Sequence, residues 1–455
     1  MAVAKQRSSF SGRIGFVLAA AGSAVGLGNL WRFPYLAAKY GGGIFLLVYI
    51  ILALTFGFAL MTAEIALGRK TGLSAISAYK KLNKKFGFVG WLTSVVPMII
   101  LPYYCAIGGW VTKYLATYIS GQATAAAEDS YFTGFISQTW SPIFWFCIYV
   151  ALTAVIVLFG VQKGVEKASK LMMPILAVLS VVVAVYSVTR PGALEGVKYY
   201  LLPDFSSVTP SSLLLTIVAA VGQLFYSMSL AMGIMITYGS YMKKEDDLNK
   251  SVAQIEICDT GFAIIAGLMV IPAVFAFSGA APQEAGPGLM FQALPKVFAS
   301  MGFGSLFGAA FFLLVLFAAL TSSISLMETV VSIFQDKFGW NRKLTCLLVT
   351  AGCLGVGLLS CFGYSIWSDF KILGLQILDF FDFISNNVLM PIVALLTCIF
   401  VGYVVGTKVV ADEVKLSSKF RREKLFKVMI KYIAPVFLVI ILVSSVLDVF
   451  GVITL

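Results

Sequence analysis

The stretch SAVGLGNLWRFP, residues 23–34, sits where a plain membrane anchor would be solid Leu, Ile and Val. Gly26, Gly28, Asn29, Arg32 and Pro34 instead crowd the middle of the first long apolar segment. Glycine weakens a helix, proline removes a backbone donor, and an Arg or Asn at membrane depth has to be satisfied by something. The segment therefore reads as a span that is broken on purpose.

The rest of the chain supports a membrane reading. Of 455 residues, 60% are hydrophobic and only 12% are charged, which is far from a soluble globular composition. About 20 mostly apolar residues cross a bilayer core. Eleven such runs occur, near 13–36, 43–68, 88–120, 143–160, 168–188, 212–240, 250–278, 303–335, 343–362, 374–404 and 427–453. The fold class expected is an all-α polytopic membrane protein with 11 transmembrane helices. The first run is long and polar in its middle, so it is read as a retained helix and not a cleaved signal.

Basic residues near helix ends set orientation. With the N-terminus cytoplasmic, one side collects the N-terminal tail, 69–85, 163–170, 243–250, 337–343 and 408–431, while 121–141 carries no Lys or Arg. Eleven spans then leave the C-terminus outside. The net charge of +12 is explained by this asymmetry. No basic face with interleaved aromatics points to nucleic acid, and no obligate protein partner is implied; the partner read from composition is the lipid bilayer. His is absent and the seven Cys stand singly within or at the ends of apolar runs, as small buried hydrophobes do, so no metal or disulfide framework is expected.

A second interruption lies in the sixth run, where YSMSLAMG (226–233) places Tyr226, Ser227, Ser229 and Gly233 in apolar surroundings. Runs 1 and 6 are equivalent if five helices repeat as five more. Interruptions at matching positions of two repeats point to a midplane binding site. Gly22 and Gly26 could alternatively form a small-residue packing face.

Ionisable residues at membrane depth tend to be paired or functional. Glu64, Asp259, Glu328, Asp379 and Asp382 qualify, and each calls for cations nearby. Thr321, Ser322 and Ser323 are consecutive in the eighth run. Their hydroxyls suit a small alkali cation beside freed carbonyls, or simply bond the carbonyl one turn back. An unwound helix offers N–H groups for a carboxylate and carbonyls for a cation or an ammonium. One break can thus hold both ends of an amino acid and a sodium ion.

These residues carry a specific resemblance. GSAVGLGNLWRFPY (22–35), YGGGIF (40–45), GQLFYSMSLAMG (222–233), GPGLMFQALP (286–295), LTSSIS (320–325) and LDFFDF (378–383) look like the neurotransmitter:sodium symporter family, which includes the bacterial leucine transporter. The likeness runs in order from about residue 7 to residue 404.

The resemblance implies a secondary active transporter, not an enzyme. It implies a five-plus-five inverted repeat, with unwound helices 1 and 6, and sodium-coupled uptake by alternating access across a bacterial inner membrane. The organisation would be a tail at 1–12, repeats at 13–188 and 212–404, a cytoplasmic loop at 405–426 and helix 11 at 427–455. Two Na+ are implied, the first at the Ala24 carbonyl, Asn29, Ser227 and Asp259. The second falls on carbonyls of Gly22, Val25 and Ala318 with the hydroxyls of Thr321 and Ser322. A substrate carboxylate would sit on Leu27 and Gly28 with Tyr104, and its ammonium on carbonyls of Ala24, Tyr226 and Ser227. Ile100, Tyr104, Ile107, Tyr226, Ser229, Met232, Ser322 and Leu326 would line the side-chain pocket. No charge is aimed there, so neutral hydrophobic or aromatic L-amino acids are expected.

The family's outer gate maps to Arg32 with Asp382, and its inner latch to Arg7 with Asp336, beside Tyr241. Gly164 and Pro174 in GVEKASKLMMP resemble a family pattern tied to unwinding of the inner end of helix 5; an ordinary interfacial helix start near residue 168 is the alternative. Animal members need chloride, whereas Asp259 places a fixed carboxylate in span 7, so chloride independence is expected and proton antiport on the return step has a carrier. Most members have twelve spans, one more than here. A ligand-gated channel or a non-transporting amino-acid sensor on the same scaffold are the alternative functions.

Overall fold

In the computed structural model, residues 8–206, 208–284 and 286–449 are described. Among them, ten helices are long and apolar enough to cross a membrane, and a bent pair makes an eleventh. That pair is α1 (Arg13–Ala24) and α2 (Gly28–Lys39), which meet at 51°. There follow α3 (Gly43–Thr71), α4 (Lys84–Ile119), α5 (Trp140–Leu158), α6 (Val161–Val188) and α7 (Pro210–Ser227). A short α8 (Ile234–Gly239) precedes α9 (Leu248–Ser278), α10 (Gly304–Phe338), α11 (Arg342–Phe362) and α12 (Ile377–Val404). A connector helix α13 (Thr407–Lys415) leads to α14 (Glu423–Leu447).

Local chemistry sets the helix ends. Asp247 and Asn341 accept the backbone N–H of Lys250 and Leu344, capping α9 and α11. Thr209 and Ser212 form a capping box before Pro210. Gly72 ends α3 in the left-handed conformation, at φ 66°.

The sixth apolar run, expected over 212–240, is not one helix. Its ladder stops at Ser227, and 228–233 turns before α8 begins. Ser229 (φ 53°) and Ala231 (φ 60°) adopt left-handed backbone that costs a side-chain-bearing residue about 1–2 kcal/mol. The carboxylate of Glu64 on α3 holds this turn, accepting the Ala231 N–H at 2.7 Å. Glu64 is therefore satisfied by backbone where a cation had been expected.

The helices differ in how much lipid they face. The most apolar stretch of α10 is 83% buried, against 28% for α14 and 33% for α5. The centre of the molecule is thus α10, packed against α4, α1 and α6, with the break between α1 and α2 beside it.

Candidate functional site

The break between α1 and α2 does not use glycine for unusual backbone angles, since neither Gly26 nor Gly28 has a positive φ. Glycine is required there by close approach. A Cβ on Gly26 would lie 2.6 Å from the Ser322 hydroxyl and 3.2 Å from that of Tyr104; one on Gly28 would lie 2.3 Å from the Tyr226 ring. Gly22 likewise faces Thr321 at 3.2 Å and Met173 at 3.3 Å. Gly22 and Gly26 are thus also a packing face, turned toward the hydroxyl-bearing turn of α10.

Behind the break lies a ring of oxygen donors. Asp259 of α9, with no solvent exposure, accepts from Asn29 Nδ2 at 2.9 Å, Tyr49 at 3.1 Å and Ser227 at 3.3 Å. Tyr49 and Ser227 hydroxyls are 2.8 Å apart. Among the described residues no basic side chain pairs with Asp259. A buried carboxylate facing only neutral donors is expensive, and a carboxylate, an amide and hydroxyls are hard oxygen ligands, so the set fits a small cation. Sequence reasoning placed Asn29, Ser227 and Asp259 together; it missed Tyr49, which looks like one more aromatic in an apolar run.

On the other side of α1, Thr321 donates to the carbonyls of Phe317 and Ala318, both at 3.0 Å. Ser322 donates to Ala318 at 3.2 Å and across to Ser23 at 3.1 Å. The one-turn-back bonding weighed for these hydroxyls is therefore present, together with an interhelix bond. Ser323 points away, to Tyr149 at 3.1 Å and Thr153 at 2.9 Å. Gly22, Val25, Ala318, Thr321 and Ser322 share this region.

Between these groups lies a cavity of about 20 Å³, lined by Ala24, Leu27, Gly28, Ile100, Tyr104, Tyr226, Ser229, Met232, Ser322 and Leu326, and also by Ser23, Gly26 and Ile234. It has room for roughly one water. Tyr104 accepts the Leu27 N–H at 3.4 Å, and Ser229 donates to the Ser23 carbonyl at 2.9 Å. No charged side chain lines it. Ser23, tying both broken segments to Ser322, was not foreseen. Nor was Gln223, which donates to the Gly28 carbonyl at 2.9 Å.

Ile107 and Ser227 are not in that lining. Ser227 turns into the Asp259 ring, and Ile107 faces a larger cavity of about 350 Å³ on the far side of Tyr226. Tyr226 lines both and divides them. Trp31, Arg32 and Asp382 also line the larger cavity. Arg32 stands 5.8 Å from the centre of the Tyr226 ring. Asp382 accepts from Tyr103 at 3.0 Å and Asn386 at 2.6 Å, and forms no ion pair within 4.0 Å with Arg32.

The opposite side is packed shut. Phe10, fully buried, meets Phe16, Tyr238 and Tyr241 edge-on with centroids 5.6–6.0 Å apart, and its N–H bonds the Tyr241 carbonyl. Tyr241 donates to Glu328 at 2.8 Å, and Glu328 is bound by Arg342. Asp336 accepts the N–H and hydroxyl of Ser74, each at 2.7 Å. Arg7 lies outside the described residues. Gly164 sits in a π-helical turn, Val161–Glu166, that runs without a break into Lys167–Val188, where Pro174 lies inside the helix. A Cβ on Gly164 would meet the Ile156 carbonyl at 2.0 Å.

Comparison with known proteins gives consistent matches. A profile of the sodium:neurotransmitter symporter family matches residues 7–134 and 136–452. A Bacillus subtilis (strain 168) protein named "Uncharacterized sodium-dependent transporter YhdH" is 36% identical over 449 residues, 96% of this chain and 97% of its own. The human sodium- and chloride-dependent GABA transporter 2 is 25% identical over 488 residues, 94% of this chain and 78% of its own. The crystal structure of MhsT in complex with L-phenylalanine matches with a TM-score of 0.87 and 37% identity, over 96% of this chain and all of that one.

Proposed function

Because the chain belongs to the sodium:neurotransmitter symporter family, whose members are multi-pass membrane transporters and not enzymes, we propose that it is a sodium-coupled symporter importing neutral hydrophobic or aromatic L-amino acids by alternating access. The observation that carries the sodium part is Asp259, fully buried and ringed by Asn29, Ser227 and Tyr49 with no basic partner among the described residues.

In this reading two sodium ions travel with the substrate. One takes Asn29, Ser227 and Asp259 with the Ala24 carbonyl; the other takes Thr321 and Ser322 with carbonyls of Gly22, Val25 and Ala318. The substrate carboxylate meets the N–H groups of Leu27 and Gly28 and the Tyr104 hydroxyl, and its ammonium meets carbonyls of Ala24, Tyr226 and Ser227. The side chain enters among Ile100, Met232, Leu326 and Ser229, which carry no charge to solvate. The cavity of about 20 Å³ then has to expand, with Tyr226 and Ile107 swinging as the partition from the larger cavity.

The scaffold for this is a five-plus-five inverted repeat, 13–188 and 212–404, with α1/α2 and α7/α8 as its unwound helices and the N-terminus in the cytoplasm. Arg32 and Asp382 close the outer side when substrate is held. Phe10, Tyr241, Asp336 and Arg7 close the inner side, and Gly164 with Pro174 lets the inner end of α6 unwind to release the second sodium. The fixed charge of Asp259 makes the cycle independent of chloride and leaves a group that can carry a proton back.

MhsT binds L-phenylalanine, as its title states, and the uncharged pocket here supports a similar substrate class. Uptake of labelled leucine, tyrosine and tryptophan in sodium medium tests it. Entry of at least one is expected; entry of proline or glycine betaine alone would overturn the substrate assignment.

A further inference from the structure

The connector between α12 and α14 is pinned from the protein side at two points. Glu413, 2% exposed, takes Arg69 at 3.0 Å and Lys244 at 2.6 Å. Arg422 binds Glu256 at 2.7 Å while its guanidinium lies 3.6 Å from the centre of the Phe58 ring. These pairs fix the segment to α3 and α9, and they consume the acidic groups beneath it.

What remains on the outer surface is of one sign. The stretch KFRREKLFKVMIK, 419–431, holds six basic residues and one acid. That acid, Glu423, is already engaged by Lys415 and Lys427, each at 2.7 Å. Lys419, Arg421 and Lys424 are exposed, and among the described residues none of them has an acidic side chain within 4.0 Å.

Apolar side chains stand exposed beside these cations. Leu416 (62%), Tyr432 (62%), Tyr403 (58%) and Val428 (45%) flank the first turns of α14. Lys431 reaches over the Tyr403 ring at 5.8 Å. Cations on flexible stems above lipid-facing aromatics match a bilayer interface on both counts. A cluster of four to eight Lys/Arg directly next to a span attracts anionic lipid, at about 1 kcal/mol per residue.

We propose that this surface, centred on Lys419, Arg421 and Lys424, docks the headgroup of an anionic phospholipid from the adjoining leaflet. Charge complementarity selects the headgroup, and the exposed collar receives the acyl chains. Through Arg422–Glu256 and Glu413–Arg69 the bound lipid would steady α3 and α9, the helices that carry Tyr49 and Asp259.

The test is native mass spectrometry of the full chain with equimolar phosphatidylglycerol and phosphatidylcholine of identical acyl chains. Wild type should retain phosphatidylglycerol preferentially. The triple variant K419Q/R421Q/K424Q should bind it about a hundredfold more weakly. K80Q/K84Q/K85Q, an equal charge loss at other exposed lysines, should keep the preference. For wild type, 1 M NaCl, where the screening length is about 3 Å, should abolish the preference, and inorganic phosphate equimolar with the lipid should leave it intact. An unchanged preference in the triple variant, equal loss in the control variant, indifference to salt, or displacement by inorganic phosphate would each overturn the proposal.

Discussion

Tyr49 and Asp259, 210 residues apart in sequence, are joined by a 3.1 Å hydrogen bond in which the phenol donates to a carboxylate with no solvent exposure. The same phenol lies 2.8 Å from Ser227, so three helices meet at one oxygen cluster beside the broken first span. This junction links sodium to the break and organises the first prediction.

Asp259→Asn should weaken sodium dependence sharply. A hydrogen-bonded or coordinating charge contributes about 1.5–3 kcal/mol, so the sodium concentration for half-maximal uptake should rise roughly tenfold to a hundredfold. If the carboxylate replaces an anion, the Asn variant should also gain a chloride requirement that wild type lacks. Uptake in chloride and in gluconate media measures both; a wild type that stops in gluconate contradicts the account.

Tyr49→Phe keeps the packing of this ring with Phe33, 4.9 Å away, and removes only the phenol. About 1–3 kcal/mol of sodium affinity should be lost, with smaller change in thermal stability. Sodium-dependent thermal shifts check it, and an unchanged sodium response would place Tyr49 outside the site.

Gly28→Ala would drive a methyl to within 2.3 Å of the Tyr226 ring, and Gly26→Ala to 2.6 Å from the Ser322 hydroxyl. Overpacking of this kind costs about 1–3 kcal/mol. Substrate binding should fall by at least tenfold in each variant, read by equilibrium binding of labelled phenylalanine. Ordinary binding in both would show that close approach does not matter there.

Arg32 and Asp382 border one cavity without touching. Charge reversal at either alone should reduce uptake at least tenfold, and Arg32→Asp with Asp382→Arg together should recover part of it. Transport by the three variants decides the pairing, and single variants at wild-type rate would remove both from the gate.

Pro174→Ala should slow sodium release while leaving substrate binding near wild type, because it makes the inner end of α6 harder to open. Turnover measured beside binding separates the two, and unchanged turnover favours an ordinary interfacial helix.

The sequence made some of this legible for a physical reason. Asn29, Arg32, Asp259 and Asp382 stand out because polar groups in apolar runs are costly, and the breaks at 22–29 and 226–233 show in Gly, Ser and Tyr content. Tyr49, Ser23 and Phe10 do not stand out, since an aromatic or a Ser in a span reads as packing until tertiary structure brings its partner. Glu64 was visible but its partner, the Ala231 N–H, was not, because backbone strain at 229–231 leaves no mark in residue type. Ile107 was assigned to the small pocket one turn beyond Tyr104; the Tyr226 ring intervenes and puts it on the other side.

The central claim is that sodium entering at Asp259 drives an amino acid uphill. Proteoliposomes holding the purified chain, given labelled L-phenylalanine and an inward sodium gradient, test it directly. The account predicts accumulation above the external concentration that collapses when a sodium ionophore is added or potassium replaces sodium. Equilibration without accumulation, or uptake indifferent to the gradient, would contradict it.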